Sequence, residues 1–151
     1  MIFDPHKYNS KSISELKLIK PCWAVGDNIG SLLDDRISPS YGEYTIRLIN
    51  TKALINCSDF YEVNLKSLFD ADNSINDRRI ARILYFWENK KYLDPPLVHY
   101  ASCSNKIVFS DGRHRAKLSF FLEITEIPVA IDIDNLKKIL DLLAKAKLHN
   151  L

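Results

Sequence analysis

Five consecutive residues, Asp111-Gly112-Arg113-His114-Arg115, gather the side chains of this chain best suited to chemistry on an anion. A short strand pattern leads into them, and a helical pattern begins at Arg113. The first N–H groups of a helix have no acceptor within it and sit at the positive end of its dipole. Gly112, lacking a Cβ, lets the turn take up positive φ and lets a phosphate come close to the backbone. Arg113 and Arg115 carry planar guanidinium forks that match pairs of phosphate oxygens. His114 can donate a hydrogen bond or move a proton near neutral pH. Asp111 can hold a metal ion, orient an arginine or accept a proton. Acidic residues are the norm at a helix start, so three basic-type side chains there oppose the dipole unless an anion offsets them. Local violations of this kind mark functional sites. The plainer reading is a turn whose arginines are solvated.

Around this pentapeptide the residue pattern predicts a mixture of helices and strands. Ser12-Ile13-Ser14-Glu15 is a capping box ahead of Leu16 and Ile19, and Pro21 stops that helix. Asn28 to Arg36 forms a second short helix, and Ser38 to Gly42 a loop. Glu43 to Ile49 alternates, with Tyr44, Ile46 and Leu48 on one face and Thr45 and Arg47 on the other, which predicts a half-buried strand. Phe60 to Leu65 is a second, less regular strand. From Ser74-Ile75-Asn76-Asp77 a helix follows, with Ile80, Ile83, Leu84 and Trp87 on one apolar stripe and Arg78, Arg79 and Arg82 mostly off it. Pro95-Pro96 ends that segment. Leu97 to Tyr100 and Lys106 to Phe109 form a hairpin around the polar turn 101–105. Arg113 to Glu123 is helical, with Leu118, Phe121 and Leu122 inward. Ile127 to Ile131 is a strand whose Pro128 places it near a sheet edge or at a strand start. Asp134 or Asn135 caps a last helix bearing Leu136, Ile139, Leu140 and Leu143. The class is α+β.

In order and spacing, Pro-Pro-Leu-Val-His-Tyr, then Lys-Ile-Val-Phe-Ser-Asp-Gly-Arg-His-Arg-Ala, then Glu-Ile-Pro-Val resembles the ParB/sulfiredoxin superfamily. Its members carry a D-G-x-H-R or G-E-R-R box between a second strand and a helix, followed by an [IV]-P-V strand. The resemblance covers about Val63 to Ile131. It implies a small mixed sheet with helices packed on it, here with an N-terminal extension of helix and strands. On that reading residues 1–151 form one domain: a core over 63–131, an unassigned part over 1–62 and a C-terminal helix over 134–149. Partitioning members bind and hydrolyse CTP through the box; other relatives are a kinase of free serine, ATPases and reported nucleases. Carried over by position, Gly112 is the box glycine, His114 and Arg115 the phosphate-contacting pair, and Asp111 the preceding acid. Arg113 departs from both standard forms, since sulfiredoxins have their catalytic cysteine there and partitioning proteins a glutamate. Without that cysteine, sulfinic-acid repair by the sulfiredoxin route is excluded. Arg78, Arg79 and Arg82 are candidates for further contacts, with at most two of them on one helix face.

The remaining composition narrows the classes. A length of 151 residues favours one core, and 21 Lys+Arg against 19 Asp+Glu give no general attraction for nucleic acid, so any anion site is local. Cys22, Cys57 and Cys103 lack zinc-ligand or disulfide spacing and read as thiols in a reducing compartment. No signal peptide and no bilayer-spanning apolar run is recognised, so a cytoplasmic protein without membrane association is expected. His99 reads as a structural strand histidine, Asp132 and Asp134 as ordinary caps, and Lys137, Lys138, Lys145 and Lys147 as the solvated face of the last helix. No protein metal site is expected.

The leading expectation is a nucleotide-binding protein, a nucleoside triphosphatase or phosphotransferase if catalytic. ATP or CTP with magnesium would be held by Gly112, Arg113, His114 and Arg115, with His114 and Asp111 as the groups that handle a proton or orient a metal. A different class, a non-catalytic module that binds a protein partner, such as an antitoxin or toxin-immunity protein, is the alternative. Nuclease activity ranks third because of the near-neutral charge. Sequence-specific DNA binding is not expected, because a single helix follows the core where partitioning proteins carry a helix-turn-helix domain.

Overall fold

A computed structural model of the chain describes residues 4, 6–25, 44–61, 63–70 and 74–149. It is an α+β structure. Two one-turn helices, α1 (His6–Asn9) and α2 (Ile13–Leu16), precede β1 (Tyr44–Asn50), α3 (Thr51–Cys57) and the two-residue β2 (Ser58–Asp59). The long α4 (Ser74–Glu88) leads to β3 (Leu97–Ala101), β4 (Lys106–Asp111), α5 (Arg113–Phe121) and β5 (Glu126–Asp132). A 3-10 turn (Ile133–Asn135) then passes into α6 (Leu136–His149). The expected helix at Asn28 to Arg36 and the loop at Ser38 to Gly42 lie outside the described residues.

The strands form one mixed sheet in the order β1-β5-β3-β4-β2. β3 and β4 pair antiparallel as the predicted hairpin, β1 runs antiparallel to β5, and β5 and β2 run parallel to β3 and β4 respectively. One core cluster lies between the sheet and helices α3 and α6, with Ile107, Ile127, Val129, Ile131 and Ile139 fully buried. A second joins α1, α2, α4 and α5 through Tyr8, Leu16, Ile80, Leu84, Trp87 and Leu118. Two parts of the prediction hold in detail. Ser12 and Glu15 cap α2 reciprocally, and the stripe Ile80, Ile83, Leu84 and Trp87 is buried while Arg78, Arg79 and Arg82 are exposed. Trp87 also donates from Nε1 to the Cys22 carbonyl (3.1 Å), tying α4 to the chain after α2.

Several expectations are corrected. Phe60, Tyr61 and residues 63–65 are not in a strand; among the described residues, pairing of this segment with β4 is confined to Ser58 and Asp59, and Phe60 turns into the core against Phe109. The segment before it, 51–57, is helical: Asn50 accepts the Ala53 N–H, and Ala53, Leu54 and Ile55 are buried. On β1 the inward face ends on Ile49, whereas Leu48 is 69% exposed, because β1 is an outer strand of the sheet and its Ile49 face packs on the core. β5 is an interior strand despite Pro128. The proline sits opposite Leu48 of β1, ahead of Ala130 and Ile131 where β3 pairs, so its missing N–H breaks no bond to β3. Asp132 accepts the Asp134 N–H to cap the 3-10 turn, and the Asn135 side chain accepts the Tyr100 N–H (2.9 Å), fastening the start of α6 to β3.

Candidate anion site

β4 delivers Asp111 at its last residue, Gly112 makes the turn, and α5 opens at Arg113. Gly112 has φ +92°, the left-handed region that glycine alone enters without strain. A Cβ there would lie 2.7 Å from Pro96 Cα and 2.9 Å from an Arg115 guanidinium nitrogen. The glycine is therefore demanded by the chain itself. Its open side is filled by Pro96 and Arg115, where the sequence reading had left it for a phosphate.

No side chain caps α5, and its first turn contains no acidic residue. Ala116 N–H bonds to the Gly112 carbonyl (3.0 Å), so the amides of residues 113 to 115 precede the first amide that donates within the helix. Around them the basic side chains are placed differently from one another. Arg113 reaches back to the Tyr61 carbonyl (3.0 Å), a neutral acceptor. Arg115 donates to the Asp111 carboxylate (3.1 Å), so Asp111 takes the arginine-orienting role among those open to it. The Arg115 Nε is buried without an acceptor among the described residues.

His114 is half-buried, and its pKa is lowered from the ordinary 6.5 to about 4. Desolvation is the main cause, followed by the charges of Arg79, Lys117, Arg113 and Arg115. His114 is consequently neutral at pH 7, and its own titration is displaced from the neutral range in which it was expected. Arg79 is the member of the α4 trio whose charge acts on His114; Arg82 instead stacks over the Phe86 ring, 5.4 Å from its centroid. Lys117 was absent from the sequence reading. It is fully buried one turn into α5 and donates to Asn76 Oδ1 of α4 (2.9 Å). Nothing local in the sequence distinguishes it from a solvated lysine.

His99 bonds through Nδ1 to Ser110 Oγ (3.0 Å) across the β3–β4 hairpin. Among the described residues no group of three or more His, Cys, Asp or Glu side chains could hold a metal ion, and no helix is long and apolar enough to cross a membrane. Comparison with protein-family models, with curated proteins and with solved structures gave no match, so the functional reading rests on the geometry of this site.

Proposed function

We propose that the N-terminus of α5 binds the phosphates of a nucleotide such as ATP or CTP with magnesium, in a protein of ParB/sulfiredoxin-like kind. The observation that carries the reading is the start of α5 itself: no side chain caps it, its first turn holds no acidic residue, and Arg113 and Arg115 flank the half-buried His114 there. Asp111 is set against Arg115, and Asp70 and Asp77 act on Lys117. A phosphate would accept from the amides at the start of α5 and offer oxygens to the guanidinium groups. The succession β3, β4, Asp111 to Arg115, α5, β5 agrees with the order that the resemblance implies.

Magnesium would arrive with the phosphates, and Asp111, already on Arg115, serves to hold that guanidinium in place. Catalysis of phosphoryl transfer or triphosphate hydrolysis would rest on positioning and charge neutralisation. Neutral His114 keeps one ring N–H to donate to a phosphate oxygen, and its lowered pKa makes it a weak base until bound phosphate offsets the neighbouring cations.

Thermal unfolding with ATP, CTP, GTP or ADP and magnesium tests the reading. A nucleotide at about 100 times its Kd stabilises by about 2.7 kcal/mol, and Arg113→Ala, His114→Ala and Arg115→Ala should each reduce that gain. A flat response to all four nucleotides would overturn it. It would favour a protein-binding module, a reading supported by the way Asp111 and Arg115 already satisfy each other within the chain.

A further inference from the structure

Lys117 and Asn76 are 0% and 4% exposed, and they meet where the first turns of α5 and α4 cross, far apart in sequence. A buried amine is costly to desolvate, and an apolar pair of similar volume would usually serve stability as well or better. The pair is also embedded in a wider network. Asn76 Nδ2 donates to the Leu68 carbonyl (3.1 Å) and to Asp77 Oδ1 (3.0 Å). Asp77 accepts the Asp70 N–H (2.6 Å), and the Asp70 carboxylate accepts from Asn64 (2.9 Å) and Ser67 (3.3 Å). The segment before α4, the first turn of α4 and the body of α5 are thereby joined by directional bonds, which tolerate sliding less than apolar packing does.

The two partners lie one helical turn from residues of the anion site. Arg79 follows Asn76 by three positions and His114 precedes Lys117 by three, and such spacing puts each pair on one helix face. We propose that the buried Asn76–Lys117 pair is a positioning device that fixes the register of α4 against α5 and so holds Arg79 beside His114. Buried polar pairs are best attested in this role of setting register. The value of the device to ligand binding rests on the anion-site reading, whereas its effect on Arg79 is measurable with no ligand present.

The His114 ring is followed by NMR through a pH titration in four proteins: the parent, Arg79→Gln, the double variant Asn76→Leu/Lys117→Met, and the triple combination. Replacing both partners together leaves neither of the two buried opposite an empty place, while the Leu68 carbonyl and Asp77 lose the Asn76 amide donor, so folding of the variant is checked first by circular dichroism. In the parent background Arg79→Gln raises the His114 pKa by several tenths of a unit, as loss of a nearby like charge must. In the double-variant background the same change has less than half that effect, because Arg79 is no longer held in place. Equal increments in the two backgrounds, or no increment in the parent, would overturn the proposal. Should the double variant not fold, Asn76→Ala replaces it in the same cycle, and loss of folding in both would reduce the pair to a structural element, which equally overturns it. Binding of inorganic phosphate to the same proteins then addresses the anion site separately. A positive result in the titration with no phosphate binding leaves the device in place and removes the ligand reading.

Discussion

Acidification provides a direct test of the electrostatics at the α5 start. His114 titrates near 4 in the folded chain against an ordinary 6.5. Between those values the unfolded chain binds the proton and the folded chain does not, so stability falls as pH falls through that window. The full difference is present at pH values below the folded pKa, and almost none of the loss is felt at pH 7. Working the linkage between pH 7 and pH 5 with these two values gives a loss of about 2 kcal/mol, an upper figure because the ring is only half-buried. The perturbation is His114→Gln, which keeps a polar side chain that cannot titrate. Urea unfolding of parent and variant at the two pH values, with slopes checked for constancy, isolates the histidine from every other titrating group. The parent should lose about 2 kcal/mol more than the variant. Parallel losses in the two proteins would refute the reasoning, since the ring would then be as easily charged in the fold as outside it. Phosphate, if bound at α5, should raise the folded pKa and shrink the difference.

Further outcomes follow from single contacts. Gly112→Ala must place a Cβ against Pro96 at positive φ, so it should destabilise by about 2 kcal/mol or more in urea unfolding. Trp87→Ala removes a fully buried ring and the bond to the Cys22 carbonyl; a loss of roughly 3–5 kcal/mol by the same method is expected. Ser12→Ala breaks the reciprocal cap of α2 and should cost about 1 kcal/mol, with amide exchange accelerated at residues 13–16.

What could be read from the residues was local. The capping box, the α4 stripe, the hairpin and the strand–glycine–helix turn each follow from periodicity or turn chemistry over a few neighbours. Thr51 to Cys57 escaped because Ala53-Leu54-Ile55 is a short apolar run that suits helix or strand equally, and the decision falls to Asn50, whose side chain caps the first turn. The buried phase of β1 was misread because a strand on the outside of the sheet can expose a leucine, and only the core beneath Ile49 says which face is inward. At the candidate site the five residues were legible, but their state was not. The lowered pKa of His114 comes first from its burial and then from charges that include Arg79 on another helix, the orientation of Arg115 is settled by a carboxylate four residues away, and the buried Lys117 finds its acceptor in Asn76 of another helix.

The place of β5 has a consequence for how the chain assembles. It fills the second position of the sheet, pairing Tyr44 of β1 with Asp132 on one side and meeting β3 on the other, although it is synthesised after both. During translation the hairpin and β1 emerge as separate pieces with no common neighbour, and the apolar side chains destined to lie under β5 stay wet. Closure depends on a distant pairing, the kind that slows folding and leaves nascent chains prone to association. Ribosome-bound chains halted before Glu126 should therefore remain open to protease, and protection should arrive in one step when an added C-terminal spacer brings Asp132 out of the exit tunnel.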